Sequence, residues 1–171
     1  MKIQKNLFML GVSVALMGLA STSATAANVI GNATGEVVAP LSIAEDVTMN
    51  FGTLNGGAAA GTVVLDFVNG RTITGGAEIL LSGPGLSGEF TITGQSGQVY
   101  TLGISASATI GDGLGNTMTV NNFLENSLGT LPAATETFQV GATLLVNINQ
   151  PAGTYSTATG GSTYTVTVNY N

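Results

Sequence analysis

The last nine residues of the chain alternate between apolar and polar side chains. The odd positions hold only threonine and asparagine, while the even positions hold Tyr164, Val166, Val168 and Tyr170. Because successive side chains of a β-strand point to opposite faces, this period of two predicts a half-buried strand over residues 163–171. A strand in this position must pair with the rest of its own chain, with a second copy or with another partner.

The same period recurs along most of the chain. Residues 138–148 form the longest apolar alternation, and residues 100–110 keep one parity throughout. Glycines interrupt these runs at intervals of roughly 8 to 12 residues, and Asn69-Gly70 is a strong hairpin signal. No segment after residue 26 shows the period of a helix. We therefore predict an all-β chain folded as an immunoglobulin-like antiparallel β-sandwich. A closed barrel remains an alternative, whereas the lack of a fixed repeat argues against a β-solenoid.

Small residues and proline set the expected strand boundaries. We expect the first strand of the domain at residues 37–43, a loop of small residues at 52–61 and a turn at Gly75-Gly76. Pro40 has no amide hydrogen to donate, so it marks an edge strand or a point where a strand changes sheets. Residues 150–161 are typical of a turn-rich connection to the last strand.

The first 26 residues predict a signal peptide for export. Lys2 and Lys5 provide a positive start, residues 7–20 are mostly apolar, and Ala24-Thr25-Ala26 offers a small-x-small cleavage pattern. The apolar run is short for a bilayer span and polar residues follow it, so a retained membrane anchor is the less favoured alternative. We predict cleavage before Ala27, export through the periplasm to the cell surface or beyond, and no membrane span in the cleaved chain.

Residues 27–36 form a second alternating segment, which we predict to be an extension preceding a β-sandwich domain at residues 37–171. Its apolar row, which continues to the start of the domain, consists of Val29, Gly31, Ala33, Gly35 and Val37. The small residues within this row bury too little surface to hold the segment on a sheet by themselves. The segment is therefore a candidate donor strand; a flexible N-terminus, or one that folds back on its own domain, is the alternative.

Composition argues against catalysis and against nucleic-acid binding. Removal of Lys2 and Lys5 leaves Arg71 against nine acidic residues, so the formal charge is 1 − 9 = −8, which repels phosphate backbones. The chain has no cysteine or histidine, which are common nucleophiles, bases and metal ligands. We predict no enzyme activity, no cofactor and no metal site. The loop at 112–116 carries oxygen atoms that calcium could use, but a tight turn is the favoured interpretation.

Several short stretches carry a family resemblance. They are MNFGTL at 49–54, GTVVL at 61–65, FTITG at 90–94, FQVGATL at 138–144, and GTY at 153–155 followed by residues 164–170. These stretches resemble a bacterial secreted family that is catalogued as a domain of unknown function. That family is similar in layout to spore coat protein U and to chaperone–usher pilins, and the similarity covers residues 33–171.

The resemblance implies a pilin-like fold and a pilin-like mode of assembly. In pilins an incomplete immunoglobulin-like sandwich lacks its last strand. The alternating N-terminal extension of a neighbouring subunit fills the groove, and an assembly chaperone fills it before that. Residues 29–37 match the extension, and the C-terminal strand with Tyr170 in the penultimate position matches the groove, whereas the cysteine pair common in pilins is absent. The partners so implied are further pilin-like subunits, a periplasmic chaperone and an outer-membrane usher.

Two functions follow from these expectations. The first is an exported structural subunit of a bacterial surface fibre or coat that assembles by β-strand complementation. The subunit and chaperone contacts would involve Val29, Gly31, Ala33, Gly35, Val37, Tyr164, Val166, Val168 and Tyr170. The alternative is a self-contained secreted β-sandwich module that binds a glycan or a surface. Glycan sites usually expose aromatic side chains, and the few aromatics here lie mostly on apolar rows, which favours the first function.

Overall fold

The computed structural model describes residues 25–79 and 83–171, so the predicted signal peptide lies almost wholly outside the described residues. All regular structure in these two ranges is β-strand, and the prediction of an all-β chain is confirmed. The strands are β1 (Ser42–Val47), β2 (Leu54–Leu65), β3 (Arg71–Ile79), β4 (Gly88–Thr93), β5 (Tyr100–Ile104), β6 (Ser107–Gly111), β7 (Thr117–Glu125), β8 (Thr135–Val146) and β9 (Val166–Tyr170). Across the same ranges, no helix has the length and apolar character needed to cross a membrane.

The chain divides into two units, one ending at Gly35 and the other running from Glu36 to Asn171. The described part of the first unit, residues 25–35, contains no strand, and its side chains are exposed. The second unit contains all the strands given above.

β8 is the central strand of the larger sheet. One of its edges pairs antiparallel with β7. The other edge pairs with β4 through residues 135–140 and then with β2 through residues 142–146. Val140 pairs with Gly88 of β4 and with Glu125 of β7, so β4 and β7 lie on opposite edges of β8. The sheet continues from β4 to β1, from β2 to β3 and from β7 to β6.

A second sheet, made of β5 and β9, packs against the first half of β8. The shared core consists of Phe90, Ile92, Tyr100, Leu131, Phe138 and Val140, with partly buried Val166 and Val168 packed against it. Phe90 and Phe138 are cross-strand neighbours, and their rings stack with centroids 5.7 Å apart. Two antiparallel sheets that face each other across an apolar core form a β-sandwich, as predicted.

The second half of β8 belongs to a second core. Its buried members include Val63 and Leu65 of β2, Ala108 of β6, Met118 and Val120 of β7, and Ala142, Leu144 and Val146 of β8. Alternate residues of a strand share one face, so the same face of β8 serves both cores. No residue of β5 or β9 is among the described members of this second core. Its cover is formed instead by side chains outside the small sheet, among them Phe51, Met49 and Tyr155.

The prediction of a hairpin at Asn69-Gly70 is confirmed. β2 and β3 pair on either side of it. Asn69 has a φ of 67°, a left-handed conformation that asparagine tolerates better than most residues. The amide of Asp66 donates to the carbonyl of Gly70 at 2.9 Å, and the Asp66 carboxylate accepts from the Gly70 amide at 2.7 Å.

The prediction of a loop at residues 52–61 is wrong for most of that range. β2 begins at Leu54, and Gly75-Gly76 lies inside β3, so a long hairpin replaces both the predicted loop and the predicted turn. The two strands approach closely here, and a Cβ atom at Gly57 would collide with the carbonyl oxygen of Gly76. Small residues permit this close approach of the two strands. The same composition is typical of a loop, which is why a loop was expected here.

Four other strand boundaries differ from the predictions. The first strand begins at Ser42, because residues 36–41 have no ladder partner. The run at 100–110 is interrupted after Ile104, where the chain leaves the small sheet and enters the large one. Ile148 lies beyond the end of β8 and is exposed. The last strand is shorter than expected and begins at Val166.

Candidate strand-binding cleft

A cleft of about 1230 Å³ lies over the second core. Its apolar floor consists of Ala108 and Ile110 of β6, Met118 and Val120 of β7, and Leu144 and Val146 of β8. These strands direct apolar side chains inwards, but β5 and β9 do not reach over them. Most of these floor residues are buried beneath side chains such as Phe51 and Met49, so the cleft lies over a core that no strand of the small sheet faces.

The rest of the lining comes largely from two stretches of chain. The first contains the middle of β1, with Glu45, and residues 48–56. The second contains residues 150–157 and the residues that lead into β9, with Tyr164 and Val166. β1 and β9 therefore both border the cleft.

β1 and β9 each have one unpaired edge. Within the described ranges β9 pairs only with β5, and β1 only with β4. The amide of Ser105 donates to the carbonyl of Thr165 at 3.0 Å, so the odd-numbered residues here direct their main-chain groups towards β5. In an antiparallel ladder the intervening residues direct theirs away. The main-chain groups of Val166, Val168 and Tyr170 consequently face the open edge.

Tyr164 lines the cleft just before β9 begins. Its ring packs on Phe123 with centroids 4.8 Å apart and meets Phe90 edge-on at 6.3 Å. Its hydroxyl oxygen is buried, and no described atom forms a hydrogen bond with it. Burial, and to a lesser extent the negative charge of Glu45, raises the pKa of Tyr164 to about 12. The hydroxyl is therefore protonated at neutral pH and can donate a hydrogen bond.

The four predicted groove residues of the last strand lie on one partly buried face, but only two of them border the cleft. Tyr164 and Val166 line it, whereas Val168 and Tyr170 pack against the first core only. The Tyr170 hydroxyl donates to the carbonyl of Ala39 at 2.9 Å and accepts from the amide of Gln95 at 2.7 Å. These two bonds tie the last strand to the segment before β1 and to the turn after β4. A role of the four side chains in binding a partner stays a prediction.

The predicted donor residues are accessible. Val29 is 93% exposed and Val37 is 98% exposed. Gly31, Ala33 and Gly35 lie between them, and no strand is formed in residues 25–41. Their apolar side chains can thus be buried only by a further contact, and their role as a donor strand stays a prediction.

The floor of the cleft could not be predicted from the sequence. The alternation of Met118 with Val120, and of Leu144 with Val146, identified these residues as inward-facing. However, an apolar face that lies under a second sheet has the same sequence pattern as one that does not. No signal in the sequence distinguishes the two cases, because the difference depends on where β5 and β9 are placed.

The loop at Asp112 is a hydrogen-bonded turn. The Asp112 Oδ1 atom accepts from the amides of Leu114 at 2.8 Å and Asn116 at 3.1 Å, and Oδ2 accepts from the Asn116 side chain at 2.6 Å. The hydrogen bond from the Asn116 side chain is the main cause that lowers the pKa of the Asp112 carboxyl group. Both oxygens are engaged by the loop itself, which supports the interpretation as a tight turn. In the described ranges no group of three or more acidic, histidine or cysteine residues is placed to hold a metal ion.

One carboxylate is buried outside the cleft. Glu136 is 7% exposed and accepts hydrogen bonds from the Tyr100 hydroxyl at 2.8 Å and the Leu128 amide at 2.7 Å. Burial, followed by the hydrogen bond to Glu136, raises the pKa of Tyr100. Both carboxylate oxygens have a partner, as buried polar groups generally must, so the pair is a structural element of the first core.

Comparison with known proteins identifies one family. No curated protein and no solved structure matches the chain. One family model matches residues 41–170, from the residue before β1 to the end of β9, and it is described as Domain of unknown function (DUF4402). The expected match to a domain of unknown function is thereby confirmed, and the chain belongs to the DUF4402 family.

Proposed function

We propose that this protein is an exported structural subunit of a bacterial surface fibre or coat that assembles by β-strand complementation, with an immunoglobulin-like, pilin-like layout. The observation that carries the proposal is the apolar cleft bordered by the unpaired edges of β1 and β9. A single added strand could both pair with an open strand edge and occupy the cleft. Its main chain would pair with an open edge, and its apolar face would fill the cleft above the buried floor.

The exposed N-terminal segment has the chemistry of such a strand. Val29 and Val37 are almost fully exposed, and burial in the cleft would stabilise the complex by roughly 1.5–3 kcal/mol for each side chain. Each main-chain hydrogen bond along β9 would add about 0.5–1.5 kcal/mol net. Gly31, Ala33 and Gly35 carry little or no side chain, which suits the places where a floor of packed side chains leaves little depth.

The cleft and the open strand edges beside it are also the reason for proposing a chaperone and an usher as partners. An open strand edge beside an apolar cleft is a site of unwanted pairing and aggregation as long as it is uncovered. A subunit with this surface therefore needs a periplasmic chaperone that covers the cleft until assembly. An outer-membrane usher would then exchange the chaperone for the next subunit, which leads to the cell surface as the final location.

The test is a pair of charge substitutions in the donor segment. We would compare the chain beginning at Ala27 with a Val29→Asp/Val37→Asp variant and with an Asn28→Asp/Asn32→Asp control. The control adds the same charge on the opposite parity of the segment. Because an unpaired charge is costly to bury, we expect the valine variant to remain monomeric while the parent and the control assemble.

Light scattering after size exclusion, together with electron microscopy, measures the assembly. Circular dichroism checks that all three proteins keep the same β-structure. Assembly of the valine variant to the same extent as the parent would show that this segment is not the donor strand. A parent chain that stays monomeric at every concentration would favour the self-contained binding module instead.

A further inference from the structure

Glu45 is a charged residue on the inward face of β1. Ile43 pairs with Ile92 of β4, and Glu45 pairs with Phe90. Residues directly opposite each other in an antiparallel pair direct their side chains to the same face. Because Ile92 and Phe90 are buried members of the first core, Glu45 occupies a position where an apolar side chain would be expected.

The Glu45 side chain nevertheless stays exposed, because it borders the cleft at the edge of β1 that is unpaired within the described residues. Arg71 is the only basic residue after residue 26, and its guanidinium donates to the carbonyl of Phe51 at 2.9 Å. The donor segment, residues 27–36, has no basic side chain and brings a further acid, Glu36. A strand paired with this edge of β1 would therefore cut the Glu45 carboxylate off from water without supplying a cationic side chain, which is costly.

The geometry of β1 also disfavours a second partner strand. Its register with β4 shifts between Glu45 and Val47, so the ladder is irregular there. Pro40, which precedes β1, has no amide hydrogen to donate. β9 differs, because its five residues carry no charge and pair with β5 in unbroken register. Inward-pointing charges, bulges and prolines are the devices by which natural sheets protect an edge strand from pairing.

We propose that Glu45 blocks strand addition at the open edge of β1 and thereby directs residues 27–36 of a second copy of the chain to the open edge of β9. The inference rests on the proposed function, which supplies the incoming segment. A strand on β9 leaves the edge of β1 in contact with water, so the Glu45 carboxylate stays hydrated. Glu45 is thus a specificity-determining residue that selects between two edges bordering the same cleft.

Hydrogen exchange followed by NMR, which resolves single amides, locates the edge that binds. The acceptor is the chain carrying Val29→Asp/Val37→Asp, which cannot donate its own segment, and the probe is an excess of a synthetic peptide of residues 27–40. We expect the peptide to slow amide exchange in residues 166–170 by about tenfold or more, while exchange in residues 42–47 changes by less than about twofold. In the Glu45→Val acceptor the peptide should also slow exchange in residues 42–47 by about tenfold or more, because pairing there no longer buries a charge.

Asp46→Val is the matched control, because it removes the same charge from the same strand. Asp46 accepts a hydrogen bond from Thr91 and does not line the cleft. The peptide should therefore leave exchange in residues 42–47 of this variant unchanged. Circular dichroism checks that each variant keeps the β-structure of the parent, and Glu45→Gln, which keeps the size of the side chain, takes the place of Glu45→Val if that variant does not fold.

The outcomes separate this inference from the proposed function. Protection of residues 42–47 in the parent acceptor would overturn the inference and leave the proposed function intact. The absence of protection there in the folded Glu45 variant, or its equal appearance in Asp46→Val, would do the same. Failure of the peptide to slow exchange anywhere in the parent acceptor would overturn both.

Discussion

Alkaline pH should destabilise the folded chain, and Tyr164 should account for a measurable part of the loss. Its pKa in the folded state is about 12, against an ordinary value of 10.0. A raised folded-state pKa contributes stability that is fully present below the unfolded pKa and is lost as the pH rises through the folded pKa. The window therefore lies between about pH 10 and about pH 12. After residue 26 the chain has no lysine, cysteine or histidine, so its tyrosines are the side chains that titrate there.

The magnitude follows from the two pKa values. At about pH 11, a group with pKa values of 10 and 12 in the unfolded and folded states would have lost about 1.4 kcal/mol of its contribution to the free energy of unfolding. The Tyr164 side chain is only partly buried, so solvent screening reduces this to roughly 0.7 kcal/mol. With a urea slope of about 1–3 kcal/mol per molar, the midpoint should shift by a few tenths of a molar unit.

The assay is urea unfolding of the parent and of Tyr164→Phe at about pH 9 and about pH 11, both above the titration of the α-amino group. The phenylalanine variant should lose less stability between the two pH values than the parent, by roughly 0.7 kcal/mol. Tyr100 also has a raised pKa, so part of the parent's loss should persist in the variant. Equal losses in the two proteins would refute the reasoning, because they would mean that the Tyr164 hydroxyl is as accessible as in the unfolded chain.

Three further predictions concern single sites. Tyr170→Phe should lower the free energy of unfolding in urea by about 1–2 kcal/mol, because the Ala39 and Gln95 groups lose their common partner; an unchanged midpoint would contradict this. Gly141→Ala should cost about 1–3 kcal/mol, since a methyl group there would collide with the Leu65 carbonyl oxygen, whereas Gly103→Ala, with open space around it, should stay within about 0.5 kcal/mol. Millimolar calcium or a chelator should leave the melting temperature unchanged, because the Asp112 oxygens are engaged within their own loop; a rise with calcium would show that the loop opens to bind it.

β8 illustrates how much of the fold local pattern can predict. The alternation from Phe138 to Val146 identified a strand with one apolar face, and the structure has that strand with that face buried. The pattern could not indicate that the two halves of this face belong to different cores. β5 and β9 contribute side chains to the core on the first half of β8 and none to the core on its second half. Which strands pack over a given face depends on residues far away in the chain, whereas the alternation of apolar and polar side chains depends only on adjacent residues.

The β2–β3 hairpin illustrates the opposite case, in which local pattern was misleading. Gly57 and its small neighbours resemble a loop because glycine and alanine have low strand propensity. The structure places them in a strand because β3 pairs with β2, and the close approach of Gly57 to Gly76 tolerates nothing larger. Tertiary pairing here overrides propensity, and the small residues are its consequence.

The sequence by itself determined the class of fold, the hairpin at Asn69-Gly70 and the inward face that Tyr164 shares with Val166. Each of these follows from a backbone geometry that acts over a few residues. Only the tertiary structure decided that β1 and β9 each keep one edge unpaired within the described residues and that a cleft is bordered by both strands. The same holds for the burial of the Tyr164 hydroxyl, which has no hydrogen-bond partner in the described part of the chain. These features depend on which distant strands meet, and strand pairing over long sequence separations is set by the packing of the whole core.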